Sequence, residues 1–165
     1  MHVHCMTNPA GPPVSEAYLR GTDPELAALF GGHAGDAEVW LRRAERLGKN
    51  IHERADAGRI AEALAAYNRR IGASDAALAN IGKLASGALT VVGGQQAGLF
   101  TGPVLVIHKA LTVIHAARWA ERKTGRPVVP VFWIAGEDHD WQEANHAFIV
   151  SNEKGLVRIA IERDE

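Results

Sequence analysis

Cys5 is the only cysteine in this chain of 165 residues, so no intrachain disulfide can form. A chain of this size without a disulfide framework fits a reducing compartment, and a cytoplasmic location is expected. No apolar run approaches the ~20 residues that cross a bilayer. Residues 1 to 13 are polar and proline-rich, without the basic start and apolar stretch of a secretory signal. Neither sign of charge dominates: 18 basic and 19 acidic side chains give a net charge of -1. They form no basic stripe and no acidic tail, so neither nucleic acid nor a membrane surface is expected as a partner. A closed metal site is also missing from the pattern. His2, His4 and Cys5 are ligand-like, but nothing nearby completes a tetrahedral set, and no metal is expected there.

What is present is apolar residue content of 47%, enough for one ordinary globular core. Residues 1 to 21, with their prolines and glycines, read as an irregular lead-in. Asp23-Pro24 then opens a helix. From 37 to 71, Val39, Leu41, Leu47, Ile51, Ile60, Leu64 and Tyr67 recur at loosely helical spacing, with interruptions expected at Gly48 and Gly58. A further helix runs from 74 to about 84, with Ser74 as its cap and Asp75 at the positive end of its dipole.

The character changes at residue 88, which divides a lead-in and helical region (1–87) from the first part of an α/β core (88–165). Leu89-Thr90-Val91-Val92 is a short β-prone run that stops at Gly93-Gly94. Pro103 suits the first turn of a following helix, on which Val104, Ile107, Leu111, Ile114 and Ala117 share a face before Thr124-Gly125 ends it. The apolar run from 127 to 134 does not alternate, the pattern of a strand covered on both faces, although Pro130 counts against full pairing. Strand, helix and strand in this order predict a right-handed parallel unit. Residues 147–150 and 156–161 flank Asn152-Glu153-Lys154-Gly155 and predict a hairpin. The fold class is therefore α/β, a partial Rossmann-like parallel sheet preceded by a helical N-terminal region. So few strands read as part of a longer enzyme.

In a parallel unit the loops after both strands leave the same sheet edge, where open α/β folds bind ligands. The first loop carries Gly93, Gly94, Gln95, Gln96, Gly98, Thr101 and Gly102. Its glycines let a ligand approach main-chain N–H groups, and its glutamines add donors and acceptors. The helix start has no acidic residue in its first turn, while His108 and Lys109 follow within two turns, so an anion there would be stabilising. The residues alone leave two readings open, an anion site or a tight turn with a solvated lysine. Neither a Walker loop nor a dinucleotide fingerprint fits. The second loop places Glu137, Asp138, His139 and Asp140 together, with His146 beyond. That set can move protons or hold an amine, or it can be a solvated acidic loop. His115 is expected to pack, and Trp133 and Trp141 to be core or rim.

Gly94-Gln95-Gln96-Ala97-Gly98-Leu99-Phe100-Thr101-Gly102-Pro103, His108-Lys109 and Val129-Pro130-Val131-Phe132-Trp133-Ile134-Ala135-Gly136-Glu137-Asp138-His139-Asp140 together resemble the bacillithiol biosynthesis cysteine-adding enzymes, or cysteine ligases. The likeness spans about residues 91 to 146. Gly93 stands where the family more often has threonine. The resemblance implies a Rossmann-like core in a much longer chain with a coiled-coil part, and a reaction joining cysteine to the amine of glucosaminyl-malate. It implies Asp138, His139, Asp140 and His108 as catalytic candidates. Gly94, Gln95, Gln96, Gly98, Thr101, Gly102, Lys109 and Glu137 are the substrate- or anion-binding candidates. An adenine nucleotide is a compatible cofactor, and a homo-oligomer a compatible assembly. The alternatives are a metal-dependent nucleotidyl or hydrolytic enzyme and an inactive, truncated binding module.

Overall fold

The computed structural model describes residues 13–50, 55–137 and 140–162. They fall into two compact units, Met1–Arg54 and Ala55–Glu165. His2, His4, Cys5 and Ile51 lie outside the described residues, as do Asp138 and His139.

The first unit holds α1 (Pro13–Arg20), α2 (Pro24–Leu29) and α3 (Ala37–Lys49). The lead-in expected through residue 21 is thus helical from Pro13. Glu16 in its first turn pairs with Arg20 in its last at 3.2 Å, each complementing the helix dipole, and Gly21 ends it with φ 63°. Asp23 caps α2 as expected, accepting from the N–H groups of Glu25 and Leu26. Gly48 does not interrupt α3 but lies in its last turn, where fraying makes a glycine inexpensive. The ring of Tyr18 in α1 packs against Phe30 and stacks on His33 of the α2–α3 connection. Its hydroxyl accepts from the N–H of Ala34, whose carbonyl accepts from Trp40 Nε1.

The second unit begins with α4 (Ala57–Arg70) and α5 (Asp75–Ala85). Asp56 and Ser74 cap them, and Gly58 sits inside the first turn of α4 rather than breaking the chain. Ala61 of α4 and Ile81 and Leu84 of α5 form one buried cluster with Val129 of the sheet, flanked by Leu64, Leu78 and Val131. Helices and strands therefore share a core across residue 88.

The sheet consists of β1 (Leu89–Gln96) and β2 (Val128–Ala135), joined by α6 (Val104–Thr124). The strands are parallel, in register from Leu89 opposite Val128 to Gln96 opposite Ala135. The first strand does not stop at Val92, because Gly93 and Gly94 continue it. A Cβ on Gly93 would stand 2.5 Å from Cγ2 of Val113 on α6, and one on Gly94 would stand 2.6 Å from the carbonyl oxygen of Trp133. These glycines mark close packing inside a strand rather than its end. Pro130 is accommodated because β2 has a strand on only one side among the described residues.

The inner face of α6 includes Ala117 and the half-buried Ile114 of the expected set but is otherwise rotated away from it. Val113, Ala117 and Ala120 are buried, with Val106 and Ala110 half-buried in the same row, whereas Val104, Ile107 and Leu111 are exposed. A helix with apolar residues all round does not disclose its inner face by hydrophobicity. Small size decides here, since alanines let the helix lie close to the sheet. Pro103 precedes the helix as its N-cap, and Gly125 ends it with φ 65°. His115, expected to pack, is exposed.

After α7 (Trp141–Ala144), β3 (His146–Ser151) and β4 (Gly155–Ala160) form the expected antiparallel hairpin, as a separate sheet. Ser151 Oγ accepts from the N–H groups of Glu153 and Lys154 in its turn, and Gly155 completes it with φ 69°.

Three glycines should respond differently to alanine. Gly94→Ala meets backbone, so it should separate β1 from β2 and cost more than Gly93→Ala, for which about 1–3 kcal/mol is typical of overpacking. Val113→Ala in addition should recover part of the Gly93→Ala loss. Gly125→Ala has open space around it and should lose only the ~1 kcal/mol of a left-handed residue. Urea unfolding of the four variants would check the order. Equal losses at 93 and 94, or no recovery by Val113→Ala, would contradict the packing described.

Candidate functional site

Because β1 and β2 are parallel neighbours, the segments that begin at Ala97 and Gly136 leave the same edge of the sheet. The N–H of Ala97 donates to the carbonyl of Ala135 at 3.4 Å, so the two loops touch where they begin. This placement depends on backbone pairing alone.

The first loop turns through three successive residues of positive φ: Phe100 (52°), Thr101 (73°) and Gly102 (72°). Phe100 and Thr101 occupy a region that costs an L-residue roughly 1–2 kcal/mol each. They form a short 3-10 turn, Leu99–Thr101, in which the exposed Phe100 ring projects. Gly98 lies so close to Gly102 that a Cβ on it would stand 3.0 Å from the Gly102 Cα. Thr101 and Gly102 thus lie directly before α6, whose first turn holds no acidic residue and receives no side-chain cap from Pro103. Free N–H groups at such a helix start suit an anion.

Gln95 and Gln96 end β1 on opposite faces of the strand. Gln95 shares the α6 face with Gly93, and Lys109 Nζ donates to its Oε1 at 2.5 Å. Gln95 Nε2 in turn donates to Gln96 Oε1 at 2.6 Å. Lys109 therefore reaches the end of β1. A cavity of about 360 Å³ opens beside these residues, between β1 and α6, lined by Gly93, Gly94, Leu105, His108, Lys109, Thr112 and Val113. Its floor is the glycine pair, which leaves the wall of α6 accessible. Gly94, His108 and Lys109 of the expected set meet here. Thr112 Oγ1 is committed to the carbonyl of His108 at 2.8 Å, which leaves its hydroxyl oxygen as an acceptor facing the site.

Leu105, Thr112 and Val113 were not anticipated as lining residues. Residues 105, 108, 109 and 112 follow an i, i+3, i+4, i+7 pattern, so helical spacing from His108-Lys109 points to them.

The second loop is described at its two ends. Glu137 is exposed after the turn in which the N–H of Gly136 donates to the carbonyl of Ile134. Asp140 is the N-cap of α7, its Oδ1 accepting from the N–H of Glu143 at 3.0 Å. That bond holds one carboxylate oxygen in place. His146 lies past α7 with Nδ1 2.8 Å from the carbonyl oxygen of Gln142, its ring edge-on to Phe148. Trp133 and Trp141 flank the loop at 59% and 40% exposure, a rim rather than a core. Among the described residues, no three His, Cys, Asp or Glu side chains gather into a metal-holding group. No helix among them is long and apolar enough to cross a membrane.

Comparison with known proteins agrees with this architecture. The "putative cysteine ligase BshC" of Geobacillus kaustophilus (strain HTA426) is 42% identical over 161 residues, covering 97% of this chain and 29% of the relative. That of Geobacillus thermodenitrificans (strain NG80-2) is 41% identical over 153 residues, covering 92% and 28%. The Heliobacterium modesticaldum (strain ATCC 51547 / Ice1) protein of that name is 45% identical over 150 residues, covering 86% and 27%. The chain thus spans between a quarter and a third of the length of these relatives. Residues 1–165 match throughout the family described as bacillithiol biosynthesis BshC, N-terminal Rossmann-like domain, and the chain belongs to that family.

Proposed function

We propose that this domain serves the joining of cysteine to the amine of glucosaminyl-malate, the reaction of a cysteine ligase, as part of a full-length protein in the cytoplasm. The observation that supports the reading is the common edge of β1 and β2, where the glycine-rich segment after Gln96 and the segment after Ala135 both begin. The relatives' names supply the reaction class.

Amide formation joins the cysteine carboxyl carbon to the amine nitrogen, which gives up a proton, while one carboxyl oxygen departs. Two demands follow: an oxyanion must be held, and an amine must be oriented and deprotonated. Gln96 and the N–H groups at the start of α6 suit the first, with Lys109 close by through Gln95. They serve a malate carboxylate or a nucleotide phosphate equally, and an adenine nucleotide is the cofactor we propose for activating the carboxyl. Glu137, Asp138, His139 and Asp140 suit the second. Among these, Asp140 has its orientation fixed by the α7 cap. His108 faces the cavity and is placed to share in proton movement.

Asp138→Asn combined with His139→Ala in the full-length protein should lower turnover by roughly 10²-fold or more, the usual range for a lost general acid–base group. On this reading stability should change little, within the about 0.5 kcal/mol usual for substitutions that do not touch a core. Mass spectrometry of the product formed from cysteine and glucosaminyl-malate measures the first, and thermal unfolding the second. Full turnover by a folded double variant would remove the acidic loop from the chemistry.

A further inference from the structure

Lysine can only donate, and this fixes more than its own contact. Gln95 must turn its carbonyl oxygen toward Lys109, so its NH₂ faces the other way, onto Gln96. Gln96 must then offer its own carbonyl oxygen to Gln95. Its NH₂ is left without a partner among the described residues, on an exposed side chain at the carboxyl-terminal end of β1. The direction of two amides, normally ambiguous, is thus dictated by one ammonium group.

We propose that Lys109 is a positioning residue: through Gln95 it orients the Gln96 amide so that its two N–H donors meet an oxyanion of the substrate or cofactor at the sheet edge. Gln96 is the group that touches the ligand. The alternative geometry, Lys109 reaching the ligand directly across the helix start, leaves Gln95 without a function. In the relay each bond polarises the next, and the charge of Lys109 makes Gln95 a stronger donor. The ligand class is an oxygen acceptor of negative charge, a carboxylate or a phosphate. Only its assignment to the ligation reaction rests on the function proposed above.

The test is side-chain amide NMR of the ¹⁵N-labelled full-length protein, in wild type and in Lys109→Met, Lys109→Arg, Gln95→Met and Gln96→Met. Without ligand, Lys109→Met should shift the side-chain amide signals of both Gln95 and Gln96, and Lys109→Arg, which keeps a donor, should shift them less. Unmoved Gln96 signals in Lys109→Met would overturn the relay whether or not anything binds. With L-malate and, separately, inorganic phosphate as probes, the Gln96 pair should move on titration with at least one, and the one that moves it identifies the source of the oxyanion. Gln96→Met should weaken that binding about tenfold. Lys109→Met and Gln95→Met should each weaken it several-fold, and the double variant should bind no worse than the worse single one, because both break one chain. Additive losses, or neither probe moving Gln96, would overturn the proposal. Ligation assayed on the same variants separates the two ideas. An intact relay in a protein that forms no amide product would sink the ligase reading alone, and turnover without the relay would sink this inference alone.

Discussion

At residues 93 and 94 there is no room for a side chain. One missing Cβ lets α6 lie on β1 through Val113, and the other lets β2 pair with β1 through Trp133. Parallel pairing needs a crossover, and the crossover must return close to the sheet to bury Val113, Ala117 and Ala120. From this contact the rest of the site follows. Lys109 lies one helical turn before Val113, so it comes level with Gln95, two residues beyond Gly93 on the same face of β1. Larger residues at these positions would lift α6 and move Lys109 away from the strand end. The cavity between them exists because of the same two glycines.

Much of this was legible in the sequence where a local rule was not in competition. Asp23, Ser74 and Gly125 mark helix ends by cap chemistry that depends on a few neighbouring residues, and each is found in that role. The β–α–β order and the hairpin at 152–155 followed from run length and turn residues. Reading failed where one residue type serves two ends. Glycine punctuates loops, but it also fills crowded strands, and only the opposing Val113 and Trp133 tell the two apart. The inner face of α6 was hidden similarly. Its larger apolar residues, Val104, Ile107 and Leu111, invite burial, yet the alanine row is what fits against the sheet. The mutual placement of Gln95 and Lys109, 14 positions apart, depends on packing between elements and had no local signal.

The exposed apolar surface has a physical meaning of its own. Val92, Trp133 and Ile134 are about 60% exposed, and no large side chain among the described residues is fully buried. Among the described residues, the two parallel strands leave both edges of their sheet unpaired. In larger α/β sheets such surfaces lie beneath further strands and helices. The relatives are more than three times as long as the stretch matched here. Val104, Ile107 and Leu111 form an outward apolar stripe on a helix that already packs inward on alanines.

The acidic loop is constrained in a different manner from the glycine loop. The glycine loop stores strain at Phe100 and Thr101, whereas the acidic one is tied at both ends by ordinary hydrogen bonds. Gly136 turns back on Ile134, and Asp140 starts α7, whose end is followed at once by the hairpin. The carbonyl of Asn145 accepts from the N–H of Ile161, which joins the end of α7 to the end of β4. A loop end held this way keeps the Asp140 carboxylate in one orientation without drawing on a large core. Preorganisation of that kind means that a group already in place need not be gathered when a ligand arrives. Strain in one loop and anchoring in the other thus act at two adjacent strand ends on one edge of the sheet.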